Sequence, residues 1–181
     1  MRNEIILAGF GGQGIILAGL VLAWAANLEE KAVVWSPSYG PEMRGGASHC
    51  TVIISSEPIG SPVVAHPDVE IIMDEPSLGR FLRLLKPEGL LLVNSSLVRK
   101  NPERKDIRRI AIPANRIAEK IGDVRCANVV MLGALMGLVP LVEERSVDQA
   151  FVERWGREPG LLEMNRRALR AGMEEAAKAQ K

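Results

Sequence analysis

Three features of the sequence predict an α/β domain built on a mainly parallel sheet. Strand-length apolar runs alternate with helix-length ones, the pattern that layers helices against a sheet. A glycine-rich turn, Gly9-Phe10-Gly11-Gly12-Gln13-Gly14, joins the first strand to the first helix. One later run, Gly89-Leu90-Leu91-Leu92-Val93-Asn94, is apolar without alternation, as strands covered on both faces tend to be. The 181 residues are expected to form one domain, residues 1–181, with a core of ordinary size. The expected architecture is three-layer and Rossmann-like, with one extra strand inserted into the alternation.

The elements follow in order. Glu4 to Ala8 is a short apolar strand, and Ile15 to Ala26 is an apolar run of helix length. Ala32 to Ser36 reads as the second strand. Residues 37–46 hold two prolines and three glycines, which excludes regular structure and predicts a long loop. Ala47 to Ser55 is β-rich with imperfect alternation, so it is the inserted strand, expected to be antiparallel. Val69 to Asp74 is a strand, and Ser77 to Leu85 a helix with Leu78, Phe81, Leu82 and Leu85 on one face. After Gly89–Asn94, the segment Arg99 to Arg109 is strongly charged and expected to be exposed. Ile110 to Pro113 is a last brief strand, and Ala114 to Lys120 a helix. Asn128 to Val139 is apolar all round, so it is buried in the core or under a partner chain, and Pro140 ends it. From Gly160 a long amphipathic helix carries Leu161, Met164, Ala168, Leu169, Gly172, Met173 and Ala176 as its apolar stripe.

Gly9, Gly11 and Gly14 fit the G-x-G-x-x-G spacing in the strand–turn–helix setting that gives it meaning. Glycines permit the tight turn and close approach of backbone to a ligand. The unpaired N–H groups of the following helix then face an anion. A nicotinamide dinucleotide site also needs a carboxylate at the end of the second strand. Here that strand ends in Trp35, Ser36 and Pro37, while Glu29 and Glu30 come too early. Three readings stand: a dinucleotide site, a turn used for packing alone, and an anion site shared with another chain.

Composition narrows the function classes. With 23 basic and 22 acidic residues there is no broad cationic field for nucleic acid. Aromatics make up only 4%, too few for base-stacking surfaces. Acidic Glu4 enters the first strand at once, so no signal peptide is expected, and the longest apolar stretch is too short to span a bilayer. The expected compartment is the cytoplasm. Cys50 and Cys126 belong to no C-x-x-C pair, so the chain lacks the thiolates for an iron–sulfur cluster or zinc, and both read as buried apolar residues. His49 and His66 have no ligand spacing and no visible orienting partner, so no metal site is expected.

The loop Ser38-Tyr39-Gly40-Pro41-Glu42-Met43-Arg44-Gly45-Gly46 holds the only tyrosine and a guanidinium flanked by glycines. Arg44 in that setting suits a phosphate or carboxylate, or else an ion pair with Glu42. Asp74-Glu75 could serve as acid or base or could cap a helix. Asn94-Ser95-Ser96 could bind a ligand or could form a turn. The glycine turn, the 36–46 loop, Asp74-Glu75 and Asn94–Ser96 all follow expected strands, so they should share one rim. There is no nucleophile elbow, and Gly122-Asp123-Val124 is not a thiamine diphosphate signature. An anion turn and an elaborate loop without a catalytic set fit a site completed by other chains.

The glycine turn, the loop from Ser38 to Gly46 and Asn94-Ser95-Ser96 together resemble the gamma subunit of 2-oxoacid:ferredoxin oxidoreductases, closest to the 2-oxoglutarate type. The likeness covers residues 3 to 139 and, more loosely, the tail. It implies a multi-subunit enzyme that converts a 2-oxoacid and coenzyme A to acyl-coenzyme A and carbon dioxide, passing electrons to ferredoxin. The partners implied are alpha and beta subunits and a ferredoxin-like delta subunit. Thiamine diphosphate, Mg and iron–sulfur clusters would belong to those partners, and none to this chain alone. The implied ligand-facing residues are Gly9, Gly11, Gly12, Gln13, Gly14, Tyr39, Arg44, Gly45 and Gly46, bordering the coenzyme A channel, with no catalytic or metal-binding residue. The equivalent subunit of an indolepyruvate or pyruvate enzyme, or an independent regulatory nucleotide-binding domain, are the alternatives. Its orphaned apolar surface would let an isolated chain form a homodimer.

Overall fold

A computed structural model describes residues 1–38 and 46–180. Its strands are β1 (Arg2–Phe10), β2 (Ala32–Ser38), β3 (Ala47–Ser55), β4 (Val69–Ile72), β5 (Leu90–Asn94) and β6 (Arg108–Ile112). The helices are α1 (Ile15–Leu28), α2 (Glu75–Phe81), α3 (Ala114–Ile121), α4 (Ala127–Leu138), α5 (Glu144–Trp155) and α6 (Pro159–Ala179). The strands form one sheet in the order β2-β3-β1-β4-β5-β6. β1, β4, β5 and β6 are parallel, and β3 is antiparallel to both β1 and β2. The sheet is therefore mixed, with the inserted strand where the sequence places it.

Alternation in β1 explains the layers. Ile5 and Leu7 enter the larger core beneath α1, α4 and α6, whereas Ile6 and Ala8 enter a smaller one beneath α2. From β1 the chain crosses through α1 toward β2 on one side of the sheet. From β4 it crosses through α2 toward β5 on the other. Right-handed crossovers in opposite directions place the two helices on opposite faces. The switch lies between β1 and β4, and β1 ends in the glycine turn. That is where open α/β sheets bind ligands.

Several boundaries differ from those the sequence predicts. β2 continues through Pro37 and Ser38, which the composition assigned to the loop. β2 is an edge strand, where a residue without an N–H is tolerated. β6 begins at Arg108, so two residues of the charged segment belong to the other edge strand, where charge discourages further pairing. α2 is shorter than Ser77–Leu85 and starts earlier, at Glu75, because the Asp74 carboxylate caps it by accepting from the Ser77 N–H at 2.9 Å. α5 was not expected at all. Its polar face is wide, but Val147, Ala150, Phe151 and Trp155 are buried, and the Glu29 carboxylate at the end of α1 accepts from the Glu143 N–H at 2.7 Å just before it.

α4 is buried as its sequence predicts, and α6 of the same chain covers it. The two helices cross at glycines. A Cβ on Gly133 would lie 2.0 Å from the Leu169 carbonyl oxygen, and one on Gly172 would lie 2.0 Å from that of Val130. Close backbone approach, with Ala134, Ala168 and Ala176 filling the remainder, makes this the tightest helix pair of the larger core. Among the described residues no helix is long and apolar enough to cross a membrane.

Candidate functional site

The glycine turn sits at the carboxyl end of β1 and is fastened on three sides. The Gly11 N–H donates to the Gly46 carbonyl at 2.8 Å, joining the turn to the start of β3. The Gln13 amide accepts from the Phe10 N–H at 2.9 Å and donates to the Met73 carbonyl at 3.3 Å, joining it to the end of β4. Asn128 at the start of α4 donates its side-chain N–H to the Gly14 carbonyl at 2.9 Å. Gln13 therefore builds the turn with its side chain.

Glycine is required at specific points. Gly12 has φ 105° and Gly14 has φ 71°, both left-handed. A Cβ on Gly14 would lie 2.3 Å from Asn128 Nδ2, and one on Gly9 would lie 2.2 Å from Gln13 Oε1. With the turn held this way, the N–H groups of Gly12, Gly14, Ile15, Ile16 and Leu17 donate to no backbone or side-chain acceptor among the described residues. No acidic side chain lies in the first turn of α1. The result is a cluster of free donors at the positive end of a 14-residue helix, the elementary form of an anion cradle.

Two cavities flank the turn. One, of about 520 Å³, lies toward β2 and β3, with Ile16, Leu17, Leu20 and Trp35 as apolar walls and Arg154 of α5 at its edge. The other, of about 300 Å³, lies toward α4 and α6, and Gly12, Gly14 and Leu17 border both. Arg154 and Trp155, at the end of α5, take opposite sides: Arg154 borders the larger cavity and Trp155 the smaller. Sequence reasoning missed both, because nothing in the polar run Glu143–Asp148 signals where its helix will end.

Asp74, Glu75 and Asn94 on the rim are engaged by the fold. Asp74 caps α2, and Glu75 Oε1 accepts from the Arg99 N–H at 3.0 Å. Asn94 is fully buried, donating to Asn115 Oδ1 at 2.7 Å and accepting from the N–H groups of Ser96 and Ala114, so it ties β5 to α3. His49 packs on Phe81 at 5.0 Å between ring centroids. Burial first, and the nearby Arg80 charge second, hold its imidazole below the usual range. Cys50 donates to the Ile15 carbonyl at 3.6 Å under α1, where burial pushes its thiol up to about 12. The thiol stays protonated and packs as a small apolar group. Tyr39, Arg44 and Gly45 lie outside the described residues; Gly46 closes the turn as the acceptor for Gly11. Cys50 lies under α1 and Cys126 on the 3₁₀ turn before α4, both buried. Among the described residues no three His, Cys, Asp or Glu side chains gather as a metal site.

Comparison with known proteins gives this geometry a lineage. The profile of the pyruvate ferredoxin/flavodoxin oxidoreductase family matches residues 4–175. The 2-oxoglutarate synthase subunit KorC of Methanothermobacter marburgensis is 42% identical over 188 residues, covering the whole of both chains. The ketoisovalerate oxidoreductase subunit VorA of Methanothermobacter thermautotrophicus is 41% identical over 94% of this chain, and the chain spans only 36% of that longer protein. The keto/oxoacid ferredoxin oxidoreductase gamma subunit from Geobacter sulfurreducens PCA superposes with a TM-score of 0.85 at 36% identity, over 98% of this chain and 99% of that one. An end-to-end match in sequence and in backbone leaves one assignment: the chain belongs to the pyruvate ferredoxin/flavodoxin oxidoreductase family.

Proposed function

We propose that this chain is the gamma component of a multi-subunit 2-oxoacid:ferredoxin oxidoreductase, of the 2-oxoglutarate type. Its glycine turn and the adjoining 39–46 loop border the path of coenzyme A. The observation that carries this reading is a well-made cluster of backbone donors, without acceptors among the described residues, on a rim where Asp74, Glu75 and Asn94 are engaged by the fold. Such a rim can hold an anionic ligand. The match to a 2-oxoglutarate synthase subunit over both full lengths favours that substrate. The amides of Gly12, Gly14 and Ile15 would receive the phosphates, and Arg44 would add charge or dock a partner. Thiamine diphosphate with Mg and the iron–sulfur clusters would be held by alpha, beta and ferredoxin-like delta subunits, which complete the site.

A second reading of the substrate has its own observation. The 41% identity to VorA, a ketoisovalerate oxidoreductase subunit, favours a branched-chain 2-oxoacid. Co-expression with the neighbouring subunit genes and assay of coenzyme A-dependent dye reduction decides between them: 2-oxoglutarate turnover supports the first, 2-oxoisovalerate turnover the second. In the same complex, Arg44→Ala raises the apparent KM for coenzyme A or weakens subunit association. Unchanged kinetics with unchanged assembly removes Arg44 from the site.

A further inference from the structure

Charge is unevenly distributed along the chain. Residues 80–120 hold 11 basic and 4 acidic residues, a net of +7, whereas the rest of the chain holds 12 and 18, a net of −6. Among the described residues only Lys86 and Arg104 of those 11 form an ion pair. Most of the others border one margin of the sheet. The segment leading from β5 to β6 runs beside α2: the Arg99 N–H donates to Glu75 Oε1 at 3.0 Å near the start of that helix, and Arg104 donates to the Leu82 and Leu85 carbonyls at 2.9 and 2.7 Å beyond its end. The chain then enters β6, an edge strand, and leaves it through α3. Arg99, Lys100, Lys105, Arg108, Arg116 and Lys120 are all exposed along this course.

The same margin presents open backbone. The Arg108 N–H donates to the Gly89 carbonyl at 2.9 Å, toward β5, so strand alternation turns the N–H and C=O groups of Arg109 and Ala111 outward. Among the described residues no strand lies beyond β6, and those two N–H groups donate to no acceptor. The Arg109 Nε is buried without an acceptor as well. We propose that β6 is a docking edge for an acidic, extended segment of a partner polypeptide, which adds a strand there. A row of alternating N–H and C=O groups matches another backbone and not a row of phosphates. No aromatic residue occurs between Phe81 and Phe151, so the margin offers bases no aromatic surface to stack on. A second copy of β6 would set Arg108 and Arg109 against their own kind, whereas carboxylates opposite them add attraction. The inference does not depend on the reading of the glycine turn, because β4 and β5 separate this edge from β1.

Amide NMR and titration calorimetry of the ¹⁵N-labelled full chain test this with three probes: a peptide of alternating Glu and Thr, the same peptide N-methylated at every residue, and a single-stranded oligothymidylate. The plain peptide is expected to shift the Arg109 and Ala111 amides, to slow their hydrogen exchange, and to bind more weakly as salt is raised. The methylated peptide keeps the charge and loses every backbone donor, so it is expected to bind about 10-fold more weakly or worse. The double variant Lys105→Glu with Arg108→Glu is expected to weaken the plain peptide by about 10-fold, and Lys105→Gln with Arg108→Gln by less, without reversing charge on the surface. Three results overturn the proposal. They are Arg109 and Ala111 amides that stay unmoved, a methylated peptide that binds as well as the plain one, and oligothymidylate that binds more tightly than either.

Discussion

Gly14 carries two constraints at once: a φ of 71° and an amide nitrogen 2.3 Å from where its Cβ would lie. Gly14→Ala is therefore expected to destabilise the chain by about 1–3 kcal/mol, read from the denaturant midpoint, because strain and crowding act together. Gly12→Ala meets nothing within 4 Å, so it carries the φ penalty alone, about 1 kcal/mol. Equal losses at the two sites would mean that Asn128 gives way and does not hold the turn. The glycines were legible because their spacing is itself the signal. Asn128 was not, since it lies 114 positions from Gly14 and only the fold brings it there. Glu70 was equally hidden: it reads as one polar residue in an apolar strand, yet it is fully buried and neither carboxylate oxygen has a hydrogen-bond partner among the described residues. Burial pushes its pKa up from 4.5 to about 7, with the Arg104 charge pulling the other way. A carboxyl whose pKa is raised on folding stabilises below the unfolded value and loses that contribution as pH rises through the folded one. Between pH 4.5 and about 7 the loss approaches about 3 kcal/mol. Glu70→Leu is expected to flatten that slope and to raise stability at pH 8, measured by urea unfolding across the range. A wild-type chain whose stability does not fall over this interval would show that Glu70 finds a partner in solution.

At the scale of elements, long periodic stretches were readable and short ones were not. α1, α4 and α6 are found within three residues of their expected ends, because helix-length apolar patterns leave little ambiguity. α5 escaped, since its first turn is charged and its buried residues are interspersed with Asp148, Gln149, Glu153 and Arg154. The end of β2 escaped because proline was read as a stop, a rule that weakens on an edge strand. The α4–α6 crossing was half legible: the apolar stripe of α6, Gly172 included, marked the face, but nothing in the sequence pairs it with α4. The glycines at the contact serve backbone approach. Gly133→Ala and Gly172→Ala are each expected to cost about 3 kcal/mol in unfolding free energy, against about 1 kcal/mol of gain for Gly160→Ala, which meets nothing near the start of α6. Thermal unfolding of the three variants checks the order. A Gly172→Ala chain as stable as the parent would mean that the two helices can separate without loss.

The whole molecule gathers its free backbone donors, Asp74, Glu75 and Asn94 on one rim and engages those three side chains in the fold. Parallel β1, β4, β5 and β6 bring the glycine turn, Asp74, Asn94 and Ile112 to the same end of the sheet, as strand order and direction require. The sequence made that gathering readable. Which of those groups are free became visible only once hydrogen bonds were assigned. Asp74 caps a helix, Glu75 holds Arg99, Asn94 holds α3, and His49 is stacked on Phe81 with its pKa lowered. Among the described residues of the rim, Asp74, Glu75 and His49 are thus each held by the fold, and Cys50 is held neutral by burial. What remains is a cradle of amides, two cavities and an exposed Phe10 at the tip of β1, all consistent with a surface that needs another chain to become a site. The purified chain is therefore expected to reduce no viologen dye when given 2-oxoglutarate or 2-oxoisovalerate with coenzyme A. The complex assembled with its partner subunits is expected to do so at an ordinary enzymatic rate of roughly 1–10³ per second. Oxoacid-dependent dye reduction by the chain alone, at a rate that survives further purification, would mean that a catalytic group exists on this chain which its hydrogen bonds do not reveal.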